Sequence, residues 1–274
     1  MTKLPSLFVS HGAPDLALAE HPAASFLAQL GAALPRPKAI LVVSAHWERH
    51  APAITTSPSP VTIHDFAGWP RALYDLGYPA PGAPWLAGRV AGLLAAQGLS
   101  LATDPLRGLD HGAWVPLRLG WPAADIPVAQ LSLIRGGDAA AHLALGRALA
   151  PLRGEGVLVL GSGAAVHNLG ALTLEGTPPP AWARDFDAWL AEALAAGDRE
   201  ALCQFPAAPP TAHAAHPTPE HLMPLFVALG AGGEAAGAVR LHDSWSYGSL
   251  SMAAYAFGGS ETVLRDPAPT WPGS

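Results

Sequence analysis

The chain has 274 residues, half of them hydrophobic and only 13% charged, a balance that suits one large buried core and argues against any long disordered region. Fifteen Lys and Arg against 21 Asp and Glu give a formal charge of -6, which offers no basic footprint for nucleic acid. Cys203 is the only cysteine, excluding an intrachain disulfide, a thiolate zinc cluster and an iron–sulfur centre on several thiolates, so any metal must sit on histidine and carboxylate.

The first apolar run, Leu7-Phe8-Val9-Ser10, stops at His11-Gly12, and a second over 39–44 stops just before His46. Between them, 23–34 has helical composition and Pro35 and Pro37 punctuate, which makes a β-α-β start. Residues 58–84, rich in aromatics, Pro and Gly, read as a long ordered loop whose Phe66, Trp69, Tyr74 and Tyr78 are candidates to wall a pocket. Helical spacing follows over 84–98, then a loop over 104–114 that carries Asp110-His111-Gly112. A strand at 126–133 precedes an Ala/Leu-rich helix at 138–152, and a buried strand at 156–160 runs into Gly161-Ser162-Gly163 and His167. Helices at 182–195 and 199–204, an apolar helix at 222–229 entered through Pro219-Glu220, and strands at 239–242 and 252–257 complete the pattern. The expected fold is α/β: a single domain over 1–274 with a central mostly parallel or mixed β-sheet flanked by helices, its site at the carboxyl ends of the strands.

Five histidines, His11, His46, His111, His167 and His216, lie beside Gly, Ser or Pro turns and are dispersed along the chain. Dispersal is the mark of a site assembled by a fold, unlike the local ligand pairs of a zinc finger or of H-E-x-x-H. Neutral imidazole is the commonest side-chain metal ligand, and strand ends hold ligands rigidly. His21, His50, His64, His142 and His242 read as surface or structural residues. Gly161-Ser162-Gly163 lacks the G-x-S-x-G spacing of a nucleophile elbow, and neither a dinucleotide fingerprint nor a P-loop lysine accompanies it. With no signal-peptide pattern and no long uninterrupted apolar stretch, the expected location is cytoplasmic, away from membranes.

Five motifs in order, Ser10-His11-Gly12-Ala13-Pro14, Ser44-Ala45-His46-Trp47-Glu48, Leu109-Asp110-His111-Gly112-Ala113-Trp114, Gly161-Ser162-Gly163 with His167-Asn168-Leu169, and His216-Pro217-Thr218-Pro219-Glu220-His221, span the chain. Together they resemble the class III extradiol ring-cleaving dioxygenases, in the branch that includes 4,5-DOPA extradiol dioxygenase. The resemblance implies one divalent metal ion, Fe(II) for catalysis or Zn(II), with His11, His46 and His216 as ligands. It implies that His167 is either a fourth ligand or an acid/base histidine, and that His111 orients substrate. The wider class completes its site with a glutamate, for which Glu48 and Glu220 are the carboxylates placed to substitute. The implied partners are a small aromatic diol and O2, and the implied reaction opens the ring with both oxygen atoms to give a muconic semialdehyde. A zinc-dependent hydrolase on the same histidines and a non-catalytic metal binder stand as the alternatives.

Overall fold

The apolar runs lie side by side in one sheet in the computed structural model, which describes residues 3–259 except 206, 208, 235 and 236. The strands are β1 (Ser6–Ser10), β2 (Ala39–Arg49), β3 (Ala53–Thr55), β4 (Ala102–Asp104), β5 (Val128–Ile134), β6 (Val157–Gly163), β7 (Ala238–His242), β8 (Trp245–Ser246), β9 (Leu250–Ser251) and β10 (Ala254–Phe257). The helices are α1 (Pro22–Ala33), α2 (Arg71–Tyr74), α3 (Trp85–Ala95), α4 (His111–Gly120), α5 (Ala139–Leu149), α6 (Ala181–Ala196), α7 (Arg199–Cys203), α8 (Ala212–Ala215) and α9 (Met223–Gly232). Among these residues no helix is long and apolar enough to cross a membrane.

Eight strands form the sheet in the order β4-β3-β5-β2-β6-β1-β10-β7. Its centre, β5-β2-β6-β1, is parallel, while β3 against β5, β10 against β1 and β7 against β10 run antiparallel, so the sheet is mixed. Central strands covered on both faces have no polar side to show, which is why they read as unbroken apolar runs. Period-two alternation sorts them: Leu41 and Val43 enter the core that holds α5 and α9, while Ile40 and Val42 enter the one that holds α1 and α4. Helix α9 is buried along its whole length, which explains the absence of an amphipathic stripe.

Several boundaries differ from the sequence expectation. The loop expected over 58–84 holds α2, and the strand expected over 252–257 begins at Ala254. β2 continues past Ser44 to Arg49, and its pairing with β5 shifts register between Val43 and Glu48, the segment that contains His46. The loop expected over 104–114 gives way to helix at His111, because Asp110 caps α4 by accepting the Ala113 N–H at 3.1 Å. The helix expected over 138–152 ends at Leu149 and continues as a 3-10 turn to Glu155.

Asp110 also locks the sheet to α4. Its side chain is fully buried and accepts from Ser44 Oγ at 2.7 Å on β2, from Gln130 Nε2 on β5 and from Arg107 Nη2 at 2.8 Å. Asp110→Ala would strand these donors, with an expected loss of about 3–5 kcal/mol of unfolding free energy in urea titration. A loss below about 1 kcal/mol, the range of an exposed pair, would refute the role of this carboxylate.

Candidate active site

The carboxyl ends of β1 and β2 deliver His11 and His46 to the same edge, where the chain also brings His111 at the start of α4, His167 after β6 and His221 before α9. All five imidazoles line one cavity of about 400 Å³, together with Asp65, Phe66, Trp69, Leu169, Leu172, Tyr247 and Leu250. Ring centroids lie 5.0 Å apart for His11 and His46, 4.0 Å for His46 and His111, and 5.6 Å for His11 and His221. His167 stacks on His221 at 3.5 Å with 7° between the ring planes.

The glycines around Ser162 explain how His221 reaches this cavity. A Cβ at Gly163 would overlap the His221 carbonyl oxygen, and one at Gly161 would overlap the Pro224 carbonyl oxygen. Without side chains there, the segment entering α9 lies directly on β6, and Ala164 N–H donates to the His221 carbonyl at 2.9 Å. A third glycine, Gly112, admits the rings themselves, since a Cβ there would overlap Ser44 Oγ and stand 2.9 Å from His46 Cδ2.

Hydrogen bonds set the tautomers. Ser162 Oγ donates its one proton to the Gly112 carbonyl, so at 3.0 Å it must accept from His11 Nδ1–H. His11 therefore carries its lone pair on Nε2, which faces His46 Nε2 at 3.0 Å. His221 Nδ1–H donates to the Glu220 carboxylate at 2.9 Å. The side-chain Nδ1–H and backbone N–H of His111 both donate to Asp65 Oδ1 at 2.9 Å. Each of these partners fixes the ring and leaves Nε2 as the free donor atom, the arrangement that orients metal-binding histidines.

Burial keeps His11, His46, His167 and His221 neutral. His11 and His221 are pushed well below the ordinary imidazole range, by burial first and then by the neighbouring histidines. Burial, followed by His111, holds His46 at about 4 against the opposing pull of Asp110, Asp65 and Glu220. His167 falls to about 4, again chiefly through burial. Burial would raise the Asp65 carboxyl, but the hydrogen bonds and charge of His111 bring it down to about 2.

Among the described residues, three groups of donor atoms lie within 4.8 Å of one another: His11 with His46 and His221, His46 with Asp65 and His111, and His167 with Glu220 and His221. Two facing Nε2 atoms at 3.0 Å, one of them a fixed lone pair, match the ~3 Å between adjacent nitrogens bound ~2.1 Å from one ion. Neutral, pre-oriented nitrogen donors beside carboxylates fit a divalent cation.

His216, the third ligand that the resemblance implies, lies apart from the other imidazoles in this structure. Its Nε2–H donates to the Ala165 carbonyl at 2.9 Å, and its ring packs 5.3 Å from Phe186 and 5.5 Å from Phe205, outside the cavity. His216 follows α8, with its N–H bonded to Ala212 at 2.8 Å, and this holds it in the helical layer while the turn through Pro217 and Pro219 carries the chain on to His221. His221 went unread although its signal was present: a carboxylate next to an imidazole, just ahead of an apolar helix. Glu48 and Glu220 both line a different cavity, from which Glu220 accepts the His221 Nδ1–H. Of the loop aromatics, Phe66 and Trp69 line the site, whereas Tyr78 spends its hydroxyl on the Trp121 carbonyl at 3.1 Å.

The family model for the catalytic LigB subunit of aromatic ring-opening dioxygenase matches residues 6–258. A relative named 4,5-DOPA dioxygenase extradiol from Beta vulgaris is 46% identical over 261 residues, covering 92% of this chain and 96% of the relative. One of the same name from Escherichia coli K12 is 42% identical over 236 residues, covering 84% and 86%. The crystal structure of an uncharacterized protein from Escherichia coli K12 superposes with a TM-score of 0.77 at 34% identity, covering 92% of this chain and 99% of that one.

Because the atom facing Gly163 is backbone, Gly163→Ala should displace the His221 segment and cost about 1–3 kcal/mol in urea unfolding. Gly88→Ala, exposed on α3 with nothing within 4 Å of its Cβ, should be neutral or stabilising by up to about 1 kcal/mol. Equal stability of the two variants would contradict the close approach as the device that seats His221.

Proposed function

Since the chain belongs to the family of the catalytic LigB subunit of aromatic ring-opening dioxygenases, we propose that it opens a DOPA-like catechol at one divalent ion held by His11, His46 and His221. Its activity is extradiol ring cleavage by a dioxygenase, which sets the hydrolytic and non-catalytic alternatives aside. The observation that carries the proposed ion site is the fixed Nε2 lone pair of His11 facing His46 Nε2 at 3.0 Å, with His221 completing the group. In this reading one catalytic domain spans the chain, and the ion is Fe(II) in turnover, with Zn(II) able to fill the same nitrogens. Bound there, Fe(II) supplies the path for electrons between catechol and triplet O2 that the closed-shell ring lacks on its own.

The chain's own residues bind, orient and move protons. Phe66 and Trp69, with Leu169, Leu172 and Leu250, give the diol ring apolar walls and keep bulk water away from it. His111 presents its Nε2 lone pair to accept a catechol proton, and Asp65, ionised with its pKa at about 2, stabilises the imidazolium that results. His167, stacked on His221 and neutral, lends its ring N–H for the second proton transfer, as the ring opens. Both atoms of O2 end in a muconic semialdehyde.

Anaerobic loading with Fe(II), followed by metal analysis and oxygen uptake with L-DOPA, tests the assignment. Wild type should hold one ion per chain and consume one O2 per catechol, with a yellow product. His221→Ala should keep less than about a tenth of the ion, whereas His216→Gln should keep it. His167→Ala should retain the ion but lose about 10²–10⁴ in turnover. Loss of the ion from His216→Gln with retention in His221→Ala would overturn the ligand set.

A further inference from the structure

A second cavity of about 200 Å³ adjoins the first, and the residues that line both are Gly12, Ala13 and Tyr247. Of these, only Tyr247 carries a large side chain. It occupies the turn between β8 and β9 with φ +48°, a conformation that non-glycine residues seldom adopt, and Gly248 follows at φ +71°. Hydrogen bonds to three residues hold it there. Its N–H donates to Glu175 Oε2 at 2.8 Å, its carbonyl accepts from Thr173 N–H at 2.9 Å, and its phenol donates to Asp15 Oδ2. Asp15 belongs to the turn that directly follows the His11-Gly12 strand end, so the phenol ties the hairpin to the segment carrying a proposed ligand. Burial, then the bond to Asp15, push the phenol's pKa up, which keeps it a donor.

We propose that Tyr247 is the specificity-determining residue of this site, its ring closing the catalytic cavity against the adjoining chamber and so limiting the length of the substituent a catechol may carry. The inference rests on the catechol-cleaving reading of the cavity. A residue latched to Asp15 and held by backbone bonds on both sides is a fixed wall, and a pocket wall is what discriminates ligands that differ only in length. Removing the ring joins the two chambers without touching the five imidazoles.

The test is the ratio of affinities for 4-hexylcatechol and 4-methylcatechol, measured under argon on the Fe(II)-loaded protein by quenching of tryptophan fluorescence, with the kcat/KM ratio in air as a second readout. Glycine suits the positive φ, so Tyr247→Gly should fold, and it should raise the hexyl-to-methyl ratio by about tenfold or more. Tyr247→Asn, which also tolerates that backbone, should move the ratio the same way and substitutes if the glycine variant does not fold. Tyr247→Phe keeps the ring and should hold the ratio within about twofold. An unchanged ratio in the folded glycine or asparagine variant would overturn the proposal, as would a phenylalanine variant that shifts as far as glycine, because the latch rather than the ring would then be the determinant. Wild type that fails to cleave 4-methylcatechol would count against the catechol reading, while the binding ratio would still decide the role of Tyr247.

Discussion

The arrangement depends on how closely the backbone entering α9 lies on strand β6. The carbonyls of His221 and Pro224 sit where Cβ atoms of Gly163 and Gly161 would be, so the contact exists only because both positions are glycine. That approach places His221 beside the ends of β1 and β2 and lets α9 pack against the sheet, with Ser6 Oγ donating to the Ala228 carbonyl at 2.7 Å. Between the glycines, Ser162 is held with its hydroxyl between Gly112 and His11, so one tripeptide both seats an imidazole and sets the tautomer of another.

Concentrating five imidazoles at one edge of a sheet would be unfavourable if they were charged, and burial keeps four of them neutral at physiological pH. Polar partners stand behind the ring: Ser162 behind His11, Asp65 behind His111, Glu220 behind His221, and Asp110 holding Ser44, whose Oγ accepts the His46 N–H at 3.2 Å. These partners restrict the rings of His11, His111 and His221 and hold the backbone of His46, and the Nε2 atoms of His11 and His46 face each other at 3.0 Å. Apolar residues fill the rest of the cavity wall, which suits an aromatic substrate whose polar edge alone meets the imidazoles.

Much of this was legible in the sequence because it follows from periodicity and topology. Apolar runs ending at His11 and before His46 read as buried strands, and the two lie parallel on either side of β6, which brings their carboxyl ends to one edge of the sheet where those histidines meet. His111 and His167 were readable from their turns, and both line the cavity. The choice between His216 and His221 was not, since both occupy one short Pro-rich segment and only the contact of that segment with β6 decides which ring faces inward. Gly161-Ser162-Gly163 matched none of the catalytic or phosphate-binding glycine patterns, and its role is steric, a property visible only once the opposing backbone is in place. The start of α4 had a local signal, Asp110 capping the Ala113 N–H three residues on, whereas the bonds of the same carboxylate to Ser44 on β2 and Gln130 on β5 join residues distant in sequence.

The most direct test of the central claim, that this strand-end cluster of histidines serves aromatic ring opening by dioxygen, is mass spectrometry of the product formed from L-DOPA by the Fe(II)-loaded protein under ¹⁸O₂. The account predicts a ring-opened product carrying two ¹⁸O atoms at early times, before carbonyl exchange with water, and none formed by His221→Ala. A product whose new oxygen comes from water, or label incorporated equally by the His221→Ala protein, would contradict it.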